Sequence, residues 1–145
     1  MRKYIPSTIE PKWQKKWEED KLYAVDLDKP DKKYYLLVEF TYPSGDLHIG
    51  HWFAFAVPDV LGRFKRMQGY NVFFPNGFDA FGLPAENAAI QRRVHPKDWT
   101  LINIENMKKQ FSLMGAIHNF DNEVITCLPD YYIWNQWIFL KMFEK

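Results

Sequence analysis

The chain has 145 residues, 47% apolar and 26% charged, with 12 Phe, 8 Tyr and 6 Trp, a composition that excludes intrinsic disorder. Nineteen basic residues against eighteen acidic leave a net charge of +1 with no long basic tract, which excludes solo gripping of a nucleic-acid backbone. One cysteine, Cys127, excludes an internal disulfide and a Cys-based zinc site.

The length suits a single domain, 1–145, able to bury about 70% of the surface of its unfolded chain. Met1 to Pro6 leads into charge rather than an apolar signal core, and no apolar run reaches the roughly 18 residues of a membrane helix. A cytoplasmic protein without a membrane partner is expected.

In chain order, Ser7-Thr8-Ile9-Glu10 reads as a capping box opening an amphipathic helix on Ile9, Trp13 and Trp17, to about Asp20. Lys29 to Lys33 is a charged turn, and Tyr34 to Tyr42 reads as a buried strand. Pro43-Ser44-Gly45-Asp46 breaks it, and a helix is predicted from about His48 to Met67. Asn71 to Pro75 is a second short strand, followed by a Gly- and Pro-rich loop over Asn76 to Pro84 and a helix over Ala85 to Arg92. Thr100 is the predicted cap of a helix bearing Ile104, Met107, Phe111 and Met114, with Gly115 at its C-cap. Pro129 opens a last helix with Trp134, Trp137, Ile138 and Phe139. Two strands with a helical crossover make a parallel pair, so the fold class is α/β: half of a doubly wound domain with flanking helices. Such a half-domain should expose a sheet edge and an apolar face.

The most informative stretch is Tyr42-Pro43-Ser44-Gly45-Asp46-Leu47-His48-Ile49-Gly50-His51. It lies at the carboxyl end of the first strand and opens a helix, the place where open α/β sheets bind ligands. Unpaired N–H groups and the helix dipole favour a phosphate there, and two histidines at i, i+3 can donate to phosphoryl oxygens. Gly50 removes a side chain, so a base or ribose can approach the backbone. Ordinary surface or core histidines are an alternative. A metal pair is a third, but no further ligands lie nearby, so no metal site is expected.

His48-Ile49-Gly50-His51 after Tyr42-Pro43-Ser44-Gly45 resembles the HIGH signature of class I aminoacyl-tRNA synthetases. The flanks resemble the leucyl-tRNA synthetase subfamily: Gly62 to Val72, Gly77 to Ala89, Trp99-Thr100, Met107 to Gln110, and Thr126-Cys127 with Pro129, Tyr131, Tyr132 and Trp134. Five blocks in one order span nearly the whole chain.

The resemblance implies the first, Rossmann-like half of a class I catalytic domain, without the editing, KMSKS and anticodon-binding regions. It implies activation of leucine with ATP, accompanied by Mg2+, and transfer to tRNA(Leu), with the remaining C-terminal half as a further partner. In the family the HIGH histidines contact ATP phosphates, which makes His48 and His51 the catalytic candidates and Pro43, Ser44, Gly45 and Gly50 the nucleotide cradle. The residue matching Asp79 pairs with the amino acid's α-ammonium; otherwise Asp79 is a turn or N-cap aspartate. Tyr42 resembles a residue lining the amino-acid pocket, and Phe40 would add an apolar wall. The chain departs from the pattern at Glu39, Trp52 to Phe55, Pro58, Phe78 and Asn119 to Asn122. Two alternatives are a catalytically weak ATP- or partner-binding relic of the fold and another nucleotidylyl transferase sharing the turn.

Overall fold

Residues 3–28, 32–116 and 119–145 are described by the computed structural model of the chain; part of the expected Lys29–Lys33 turn, and His118, lie outside them. Helix α1, Pro6–Glu19, starts a residue before the anticipated capping box, and Ile5 is its N-cap without a side-chain cap bond. Pro6 causes the difference. Its fixed φ suits the first helical position, where its missing N–H costs nothing, so Ser7 falls inside the first turn.

Strand β1, Lys33–Tyr35, is followed by helix α2, Ile49–Met67, which runs unbroken through Pro58. Strands β2, Asn71–Phe73, and β3, Pro75–Phe78, are separated only by Phe74. Helices α3, Leu83–Arg92, and α4, Pro96–Met114, precede strand β4, Asn119–Ile125, and helix α5, Pro129–Phe143.

β1 pairs parallel with β2 from Lys33↔Asn71 to Tyr35↔Phe73, and β3 pairs parallel with β4 at Gly77↔Val124 and Phe78↔Ile125. Thr41 forms a parallel bridge with Phe78. The tracks 33–41, 71–78 and 119–125 therefore run parallel with the second in the middle, joined by α2 and by α3–α4. This is the expected α/β half-sheet, with one strand more than the two anticipated.

Four expectations are corrected. The strand read over Tyr34 to Tyr42 keeps its regular ladder only through Tyr35, then touches the central track at Leu36 N–H to Phe73 O, 2.9 Å, and at Thr41. Nor is it buried on both faces, because Leu36 and Val38 pack against the core while Tyr35 and Leu37 are 60% and 62% exposed. The loop read from Asn76 begins three residues later. Asn76, Gly77 and Phe78 are buried in β3, where a Cβ on Gly77 would come within 2.7 Å of the Phe40 ring. Thr100 is buried inside α4, whose N-cap is His95, the Nδ1 accepting the Lys97 N–H at 3.2 Å.

The core unites the sheet with α2 and α4: Leu36, Phe74 and Phe78 meet Phe55, Ile104, Met107 and Phe111. Phe55 and Phe111 pack edge to face at 4.8 Å. Each such phenylalanine contributes about 1.5–3 kcal/mol by leaving water. The opposite face of α2 carries Ile49, Phe53, Val57, Val60, Phe64 and Met67, all exposed at helical spacing, and α5 buries no residue. Among the described residues no helix is long and apolar enough to cross a membrane.

Candidate functional site

Parallel pairing fixes the location of the site. Thr41 O accepts the Asp79 N–H at 3.0 Å, so Tyr42 and Asp79 emerge side by side from the carboxyl ends of neighbouring tracks. With Pro43, Ser44, Phe81 and Pro84 they line a cleft of about 410 Å³, within the usual range for small-ligand sites. Tyr42 is 65% exposed there, so its role is not core packing. The Ser44 N–H donates to Tyr42 O at 2.9 Å, tightening the turn. Phe40 does not line this cleft; its ring is seated against Gly77.

Asp79 is no helix cap, since Gly82 holds that place at α3. The Thr126 hydroxyl holds it instead, accepting the Ala80 N–H at 2.8 Å and donating to Asp79 Oδ1 at 3.4 Å. A hydroxyl can do both at once, so one residue at the end of β4 orients the carboxylate and satisfies the backbone beside it.

His48 and His51 open α2 as a reciprocal cap. His48 Nδ1 accepts the Gly50 N–H and His51 Nδ1 accepts the His48 N–H, both at 3.1 Å. A neutral imidazole whose Nδ1 accepts must carry its proton on Nε2, so both rings keep an Nε2–H donor for a ligand. The rings lie 3.9 Å apart at 34°. Burial, and then the adjacent His48, pull the His51 pKa below its ordinary value, with Glu39 opposing them. Neutrality and capping thus support each other, because protonating Nδ1 would destroy the acceptor.

Gly50 has an internal function besides leaving room for a ligand: a Cβ there would lie 2.8 Å from His48 Cε1 and 3.0 Å from Nδ1. A Cβ on Gly45 meets no protein atom within 4 Å, so the space beside that turn is open. The structure thus brings Tyr42, Pro43, Ser44 and Asp79 into one cleft. Across the short Gly45–Leu47 segment, His48 borders a separate hollow with Leu47, Ile49 and Trp52.

Sequence reading gave no role to Thr126 or to a row of amides on α4. Asn103 Nδ2 donates to Pro43 O at 3.0 Å, Asn106 Nδ2 to Asp46 Oδ1 at 2.7 Å and Gln110 Nε2 to the same oxygen at 2.8 Å. Gln110 Oε1 also accepts the Leu47 N–H at 2.7 Å. The available signal was their spacing, i, i+3 and i+7, flanking the buried Ile104, Met107 and Phe111.

The family of tRNA synthetases class I (I, L, M and V) matches residues 12–145. A leucine–tRNA ligase of Rubrobacter xylanophilus is 58% identical over 99% of this chain and 18% of its own length. One from Clostridium botulinum is 62% identical over 94% of this chain and 17% of its own. Among solved structures, the LeuRS of Agrobacterium radiobacter K84, in a ternary complex with tRNA and LeuAMS, matches with a TM-score of 0.90. It is 39% identical, over 98% of this chain and 18% of that one. The chain therefore spans under a fifth of the length of these relatives.

Proposed function

The chain belongs to the class I tRNA synthetases of the I, L, M and V group, with their Rossmann-like fold, and from that premise we propose that it carries the ATP- and leucine-binding half of a leucine–tRNA ligase active site. One observation carries the proposal. The reciprocal histidine cap and the Thr126-held Asp79 stand at the same end of one parallel sheet, joined by the Tyr42–Gly45 turn.

The chemistry follows from those groups. Asp79 pairs with leucine's α-ammonium and Tyr42 walls the cleft. Pro43, Ser44, Gly45 and Gly50 border the nucleotide, with Phe40 backing the central track. A carboxylate oxygen of leucine attacks the α-phosphorus, the bond to the β-phosphate oxygen breaks, and pyrophosphate leaves with its electron pair. His48 and His51 donate from Nε2 to phosphate oxygens as charge builds on them, the preorganised stabilisation phosphoryl transfer needs. Magnesium would arrive on ATP's phosphates and neutralise part of their charge.

The whole reaction, with tRNA(Leu) as acceptor, belongs to a longer protein. In this reading 1–145 is one domain, the N-terminal half of the catalytic fold, in the cytoplasm. The exposed apolar face of α2 and the unburied α5 support docking of the remaining synthetase half. The same faces would suit a partner-binding relic without chemistry. Replacing both histidines by alanine should weaken ATP binding or adenylate formation at least tenfold, about 1.4 kcal/mol. An unchanged double variant retires the site.

A further inference from the structure

We propose that Gln110 is a positioning residue for the two histidines, and that α4, through Gln110, Asn106 and Asn103, clamps the 43–47 segment so that the reciprocal cap forms. This rests on the reading that the histidines meet phosphate. Gln110 engages the segment with both ends of its amide, accepting the Leu47 N–H at 2.7 Å and donating to Asp46 Oδ1 at 2.8 Å. Leu47 directly precedes the N-cap His48, so its backbone orientation passes to the cap one bond later. Asn106 donates to the same Asp46 oxygen and the buried Asn103 to Pro43 O, giving three attachments along one helix face. The clamp is stiff because Met107 and Phe111, which flank Gln110, are locked in the core.

The amides also manage a charge. Asp46 carries a carboxylate next to a turn meant for polyphosphate, and two amide donors tether that oxygen toward α4. A carboxylate at position 110 has no donor for Asp46 and faces it with like charge, so repulsion drives it off the Leu47 N–H as well. Exchanging the pair, Asp46→Asn with Gln110→Glu, restores every bond. The amide nitrogen now on the turn takes the place of Oδ1 and donates one hydrogen to the carboxylate now on α4 and the other to the Asn106 carbonyl oxygen, the Asn106 amide turning over to receive it.

The test uses the 145-residue chain with 15N-labelled histidine and leucine. NMR reads the ring tautomers, amide exchange reads the His48 and Leu47 N–H groups, and titration of the ring signals reads ATP binding. Gln110→Ala and Gln110→Glu should each mix the tautomers, speed both amide exchange rates at least tenfold and raise the ATP midpoint by a similar factor. The double exchange should return all three to within about twofold of the parent. Unchanged tautomers and exchange rates in Gln110→Ala overturn the proposal, as does a double variant no better than Gln110→Glu. If the parent chain shows no response to ATP, the phosphate reading fails, while tautomers and exchange rates still decide the clamp.

Discussion

Gly50→Ala separates stability from function at the histidine turn. Inside a helix, alanine is ordinarily about 1 kcal/mol better than glycine. Here the new Cβ would lie 2.8 Å from His48 Cε1 and 3.0 Å from Nδ1, so the imidazole must swing away and release the Gly50 N–H. Losing a side-chain cap costs about 1 kcal/mol. The two effects nearly cancel, and the folding free energy should change by less than about 1 kcal/mol. The cap's consequence does not cancel. His48 loses its Nε2–H preference, and ATP binding should fall about tenfold, which is about 1.4 kcal/mol. Urea denaturation gives the first quantity; histidine NMR with an ATP titration gives the other two. A variant about 1 kcal/mol more stable than its parent, with unchanged tautomer and ATP midpoint, would refute the reasoning.

Gly77→Ala should destabilise by about 1–3 kcal/mol, because its Cβ would meet the Phe40 ring at 2.7 Å inside β3. Phe40→Ala in the same chain should make the two losses less than additive in urea melts, and strict additivity would deny the contact. Thr126→Val strands the Ala80 N–H and one Asp79 oxygen, a loss of about 1–3 kcal/mol, and should raise the leucine requirement more than the ATP requirement. Equal effects on both substrates would speak against orientation of Asp79. The His51 pKa is lowered on folding, chiefly by burial, so the unfolded chain binds more protons and stability rises with pH. Its contribution is complete above the unfolded value of about 6.5 and is lost as pH falls through the lower folded value. The stability difference between the parent and His51→Gln, measured from pH 8 to pH 5, should shrink toward acid; growth toward acid would reverse the assigned sign.

Much of this was legible in the residues. Helix α2 was read over about His48 to Met67 from the Pro43–Asp46 breaker ahead of it, and the His48 turn was read because strand, breaker and helix start coincide in ten residues. Strand β4 was not legible: Asn119, Asp121 and Asn122 are poor strand formers, and only pairing with β3 compensates. Asn76 and Gly77 read as loop residues because local propensity ignores a ring arriving from Phe40, more than thirty positions away. Two caps were misplaced where proline intervened, at Pro6 and Pro96, since its fixed φ moves the start ahead of the polar residue expected to cap, whereas Pro129 opens α5 as read. The Gln110 clamp joins partners more than sixty residues apart, a distance no local pattern spans.

Leucine-dependent ATP–pyrophosphate exchange, run over a panel of amino acids, tests the central claim most directly. The isolated chain should exchange slowly and prefer leucine. Supplying the remaining part of a related synthetase in trans should raise the rate, and Asp79→Asn should raise the leucine requirement far more than the ATP requirement. Exchange that stays absent with that part supplied, or that runs equally well on unrelated amino acids, would contradict an ATP- and leucine-binding half-site at the 42–51 turn and Asp79.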